Sequence, residues 1–94
     1  MRSVKLGHAY KKDFRREARG ENLEAMAIEL SFVVTALAAD AALPEKYQEH
    51  LLTGRWAKHG GCHIKPDFVL IYLKTANNEL HLVRLGSHAE LFGM

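Results

Sequence analysis

The chain has 94 residues, 48% of them apolar, which suffices for one modest core and therefore one domain over 1–94. A lone cysteine, Cys62, excludes an internal disulfide, and no apolar stretch approaches the ~18 residues of a membrane-crossing helix, so a soluble chain in the cytoplasm is expected. Net charge is only +2 but unevenly spread: residues 1–19 carry seven basic against two acidic side chains, whereas 20–46 are acidic.

Val4-Lys5-Leu6 alternates like a short opening strand, and Gly7 lets the chain turn out of it. Tyr10, Phe14 and Ala18 recur every fourth residue, predicting a helix that Gly20 stops. Lys11, Lys12, Arg15, Arg16 and Arg19 cover its remaining surface, where a solvated face explains them at least as simply as phosphate binding. A second helix is predicted from Leu23 to about Ala39, with Asn22 as N-cap and Met26, Leu30, Val34 and Leu37 at helical spacing. Ile28, Phe32 and Val33 widen its apolar face, which implies packing against both the sheet and the first helix.

Pro44 ends helical structure, and 43–56 reads as a connector that Tyr47, Leu52 and Trp56 pin to an edge of the core. After the Gly60-Gly61 turn, Cys62 to Lys65 forms a short strand with Cys62 and Ile64 on one face and His63 and Lys65 on the other. The continuous apolar run Phe68 to Leu73 is the expected central strand. Ala76-Asn77-Asn78-Glu79 turns the chain, and Leu80 to Leu85 returns as its hairpin partner. Ser87-His88-Ala89-Glu90 has the form of a capping box and opens a terminal helical turn. Helices and strands are thus segregated, which predicts an α+β fold with helices on one face of an antiparallel sheet and the other face free for substrate.

Five of six histidines lie between residues 50 and 88, and His63 stands four residues before Asp67 at the mouth of the central strand. A single histidine is most simply a surface or satisfied residue, and His8, His59 and His81 keep that reading. Cys62 reads as a small core residue. Asp67, following Pro66, has the chemistry of a turn as well as of a site.

The series Leu43-Pro44-x-x-Tyr47-x-x-His50-x-Leu52-x-Gly54-x-Trp56, then Cys62-His63-x-x-Pro66-Asp67, then Arg84-x-Gly86-Ser87-His88-x-Glu90-Leu91-Phe92 resembles the YafQ branch of the RelE-type bacterial toxins over nearly the whole chain. The resemblance implies a RelE-like β-α-α-β-β-β sheet with two N-terminal helices on one face and a short C-terminal helix. It implies the toxin of a type II toxin–antitoxin system, a ribosome-dependent endoribonuclease that cuts translated messenger RNA in the A site and needs no metal or other cofactor. The implied partners are a cognate antitoxin, the ribosome and its message, with operator DNA bound by the antitoxin complex. Carried over by position, the catalytic set is His50, His63, Asp67 and His88, with Arg84 and Phe92 as supporting members; Lys65 and Phe68 are further candidates for binding RNA, and the basic side chains Lys11, Lys12, Arg15 and Arg16 of the first helix are candidates for contacting ribosomal RNA. Phe68 departs from members with Trp there: it keeps a stacking surface without the indole donor.

The chemistry fits those residue types. RNA supplies its own nucleophile in the 2′-OH, so the enzyme needs a base, an acid for the departing 5′-oxygen and a cation for the phosphate. His50 or His63 is the expected base, with Asp67 orienting an imidazole on that side, His88 the acid arriving from the other end of the sheet, and Arg84 the clamp. Two other readings compete: an inactive homologue that only binds antitoxin or ribosome, and a metal-dependent hydrolase using His50, His63, His88 and Asp67, although no paired zinc-ligand spacing is present.

Overall fold

The computed structural model describes residues 1–20 and 23–93. Its elements run β1 (Ser3–Leu6), α1 (His8–Glu17), α2 (Leu23–Ala38), β2 (His50–Leu51), β3 (Gly60–Lys65), β4 (Phe68–Lys74), β5 (Glu79–Gly86) and α3 (His88–Phe92), with 3-10 turns at Glu45–Tyr47 and Gly54–Trp56. One sheet holds all five strands in the order β1-β5-β4-β3-β2, so the apolar run 68–74 is central. The α+β class stands, with two refinements. Part of the 43–56 connector pairs as the two-residue strand β2, His50 opposite Gly61. The sheet is also mixed rather than purely antiparallel, because β1 joins β5 in parallel, Ser3 opposite Glu79 and Leu6 opposite Leu82. A parallel pair needs a long crossover, and here nearly the whole domain supplies it.

The main core lies between the sheet and the helices. Met26, Leu30, Val33 and Leu37 of α2 are buried with Cys62, Ile64, Leu70, Leu80, Leu82 and Leu85, which makes Cys62 and Ile64 inward-facing as their alternation predicts. The wide apolar face of α2 is not buried throughout: Ile28 is 65% and Phe32 51% exposed. The first helix packs along β5 instead of closing that flank, and Phe32 stacks on Tyr47 with ring centroids 5.8 Å apart. The expected N-cap at Asn22 lies outside the described residues.

Helix α1 is placed by an edge that β1 leaves uncovered. At Gly7 the chain leaves the sheet with its N–H still donating to Leu82 O at 2.9 Å, and a Cβ there would stand 2.9 Å from that same carbonyl oxygen. Beyond Leu82, side chains of α1 take over the role of a strand: Leu85 N–H donates to Asp13 Oδ2 at 2.9 Å, and Arg16 Nη2 donates to Leu85 O at 3.1 Å. Asp13 is only 3% exposed. Between these bonds the pairing of β4 with β5 shifts by one residue, Arg84 facing Ile71 and Leu82 facing Tyr72, so Val83 is a bulge residue and packs on the open face with Val69, Ile71 and Leu91. Among the described residues no helix is long and apolar enough to cross a membrane.

Candidate active site

Three segments meet on the sheet face opposite the helices. His50 pairs across from Gly61, two residues before His63, so both imidazoles fall on one face of the β2–β3 ribbon. His63 pairs in turn with Val69, and Val69 with Gly86, from which α3 delivers His88. His50, His63 and His88 line one cavity of about 210 Å³ with Leu52, Thr53, Val69 and Phe92. The rings of His63 and His88 meet edge to face at 5.1 Å, and Phe92 lies 5.7 Å from His88.

Each histidine is held differently. His50 Nδ1 lies 2.8 Å from the carbonyl oxygen of Gln48, a residue in the left-handed region at φ 48° that ends the 3-10 turn. A carbonyl only accepts, so Nδ1 is the donor in this contact and Nε2 is the ring nitrogen left for another partner. The backbone beneath is fixed by two tyrosines, Tyr72 donating to Glu49 and Tyr47 donating to Glu29 at 2.5 Å. His88 follows Ser87, whose hydroxyl accepts from Glu90 N–H while Glu90 returns a bond to Ser87 N–H, the capping box expected from the sequence. Asp67 Oδ1 accepts from both His88 Nδ1 at 2.8 Å and the His88 backbone N–H at 3.3 Å. Asp67 therefore orients the ring of His88, not that of His63, and His88 stands beside Asp67 instead of at a separate end of the sheet. The turn between β3 and β4 and the start of α3 lie at the same end of the antiparallel pair, which sequence distance concealed.

Electrostatics separate the groups. Burial, then the imidazoles of His88 and His50, lower the pKa of His63 from 6.5, more than offsetting Asp67. The His88 ring and backbone bonds hold the Asp67 carboxyl below its ordinary value. Burial, then Glu49, push the Cys62 thiol up to about 12, which leaves it an inert core residue.

The supporting residues divide. Phe92 lines the cavity. Phe68 packs against the helix-side core, away from the histidines. Lys65 lines a neighbouring hollow of about 700 Å³ with Lys46, Tyr47 and Pro66, sharing only the His63 wall. Arg84 is not a free clamp: its Nε and Nη2 donate to Asp13 at 2.7 and 3.2 Å. Arg16 is likewise engaged, with Asp13 at 3.0 Å, Glu17 at 3.0 Å and Glu90 at 3.4 Å, so of the four basic side chains assigned to ribosomal RNA, Lys11, Lys12 and Arg15 remain exposed without an ion pair among the described residues. Burial by itself raises the Asp13 pKa, but the Arg84, Leu85 and Arg16 bonds overcome it and hold the carboxyl below 3.8. Sequence reading missed Asp13, Gln48 and Thr53; the signal for Asp13 was its place on the apolar stripe, three residues after Tyr10 and next to Phe14. Among the described residues no group of three or more His, Cys, Asp or Glu side chains is arranged to hold a metal ion.

This mixed sheet flanked by two helices is the fold of solved toxins from toxin–antitoxin complexes. Residues 2–93 match the family described as bacterial toxin of type II toxin-antitoxin system, YafQ. The chain belongs to the YafQ family. It is 32% identical to the mRNA interferase toxin YafQ of Escherichia coli K12 across 99% of this chain and 98% of that protein. It superposes on a metal-bound toxin from Helicobacter pylori at 37% identity and a TM-score of 0.85, covering 98% of this chain and all of that one. YafQ in the E. coli DinJ–YafQ complex matches at 29% identity and a TM-score of 0.83, over 99% of this chain and all of that one.

Proposed function

We propose that this toxin is an mRNA interferase that cuts translated message in the ribosomal A site by acid–base catalysis without a metal. The observation that carries the reading is the convergence of His50, His63 and His88 on one cavity, with Asp67 bonded to His88 Nδ1. His63, kept neutral by its surroundings, is the base that takes the 2′-OH proton. His50, its Nδ1 held by Gln48, accepts through Nε2 and aligns the same hydroxyl. The freed oxygen attacks phosphorus, the bond to the 5′-oxygen breaks, and His88 gives that oxygen a proton from Nε2, leaving a 2′,3′-cyclic phosphate. Asp67 accepts from His88 Nδ1 and so orients the ring, leaving Nε2 to face the departing oxygen. Arg84 offers the phosphate the part of its guanidinium that Asp13 does not occupy, and Phe92 gives a base an apolar surface. A cognate antitoxin restrains this activity, as the partner of a type II toxin.

The experiment is to map message ends on translating ribosomes with wild-type protein and His88→Ala. New ends that cluster within A-site codons and vanish in the variant are expected. Equal cleavage by a folded His88→Ala protein, or ends that appear equally on free RNA, would sink the respective part of the reading.

A further inference from the structure

The end of β5 and the start of α3 carry Arg84 and His88; a single carboxylate outside the cavity bonds Arg84 directly and connects to the residue before His88 through Arg16 and Glu90. Asp13 Oδ2 accepts from Arg84 Nε and Leu85 N–H, and Oδ1 accepts from Arg84 Nη2 and Arg16 Nη1. All four acceptor positions of the carboxylate are filled. Arg16 carries the link onward, donating to Leu85 O and standing 3.4 Å from Glu90, whose other oxygen holds the backbone N–H of Ser87. His88 is the next residue.

We infer that Asp13 is a positioning residue of the cleavage site, holding the Arg84 guanidinium side-on and fixing the three residues that deliver His88 to Asp67. The inference rests on the proposed acid and clamp roles of His88 and Arg84. An edge strand needs only any donor and acceptor to cover it, and a longer β1 would have served. A buried, fully bonded carboxylate does something a strand would not: it sets the direction of one cation and leaves Arg84 Nη1 as the donor not bound to Asp13. The bulge at Val83 lies directly before Arg84, where the strand is least constrained by its neighbour, and Asp13 grips it there.

The test uses Asp13→Asn in the full chain, alone and combined with His88→Ala. Asparagine keeps the shape but cannot serve four donors. At a temperature where both proteins are folded, kcat for message cleavage is expected to fall about tenfold to a hundredfold with KM little changed, the scale of a misplaced reacting group. The double variant is expected to lose less than the sum of the two single losses, because the part of the Asp13 effect that acts through His88 is already gone. A lower melting temperature with wild-type kcat would make Asp13 merely structural and overturn the inference, as would a full additive loss in the double variant. NMR of the His88 ring supplies a readout independent of activity: in Asp13→Asn its signals should shift and its Nδ1 proton exchange faster, and unchanged signals overturn the inference. If the wild type cuts no message, the functional reading has failed and this ring measurement alone decides the positioning role. Should Asp13→Asn not fold, Arg16→Gln, at a half-exposed site, replaces it in both measurements with the same expected direction and the same overturning result.

Discussion

On the helix side of the sheet, fourteen buried residues from α1, α2, the connector and three strands form one continuous core. On the other side, among the described residues, the buried apolar cluster is Val69, Ile71 and Leu91, with Leu52, Trp56, Val83 and Phe92 packed around them. The small cluster is too limited to hold the fold, yet every imidazole of the site stands on it. The face that carries stability and the face that carries chemistry are separate, so damage to one should leave the other readable. Position on the open face is secured by polar bonds instead: Asp67 to His88, Gln48 to His50, and Trp56 Nε1 donating to Leu91 O at 3.3 Å.

The sharpest division is expected from His88→Ala, which should cut the cleavage rate by about 10² to 10⁴ with the thermal midpoint unchanged, as removal of a general acid does. Leu70→Ala is the reverse case. Its side chain is fully buried on the helix side, so denaturant unfolding should show a loss of about 2–5 kcal/mol, while the fraction still folded cuts at the same message positions. An intermediate effect concerns pH. A base with a lowered pKa works once deprotonated, so kcat/KM should rise with pH through a midpoint below 6.5. His63→Ala should abolish that limb and His50→Ala keep it; the opposite result would exchange their roles. Ser87→Ala tests whether the two faces are joined through α3. Losing the bond from Glu90 N–H to the Ser87 hydroxyl should cost about 1 kcal/mol by melting and lower cleavage only modestly. The smallest effect is expected from Lys11, Lys12 and Arg15 changed together to Gln: unchanged folding, and ribosome binding whose salt dependence is shallower by about 0.7 to 0.9 per lost phosphate contact. An unaltered slope would leave these residues as a solvated face.

Much of this was legible from the chain. The run 68–73 announced the central strand, and Ser87 with Glu90 announced the cap, because hydrophobic period and capping chemistry are local properties. The histidine set could be collected from its motif, but not its pairing. Asp67 lies near His63 in sequence and on His88 in space, since only sheet register decides that a β3–β4 turn and the end of β5 are neighbours. Arg84 and Arg16 looked available for phosphate because nothing in a sequence shows that a buried aspartate 71 residues away from one of them claims both. Ile28 and Phe32 looked like core because a wide apolar stripe does not say how many sides will be covered.

The parallel pairing of β1 with β5 also bears on when the molecule becomes dangerous. Its bonds join the beginning of the chain to strand residues near the end, and Asp13 waits for Leu85 across 72 residues. Neither contact can form until β5 has been synthesised, and α3, with His88, comes after it. A nascent chain therefore carries its first helix and most of its core without a working centre. The candidate site is completed only when α3 follows β5 and sets His88 beside Asp67.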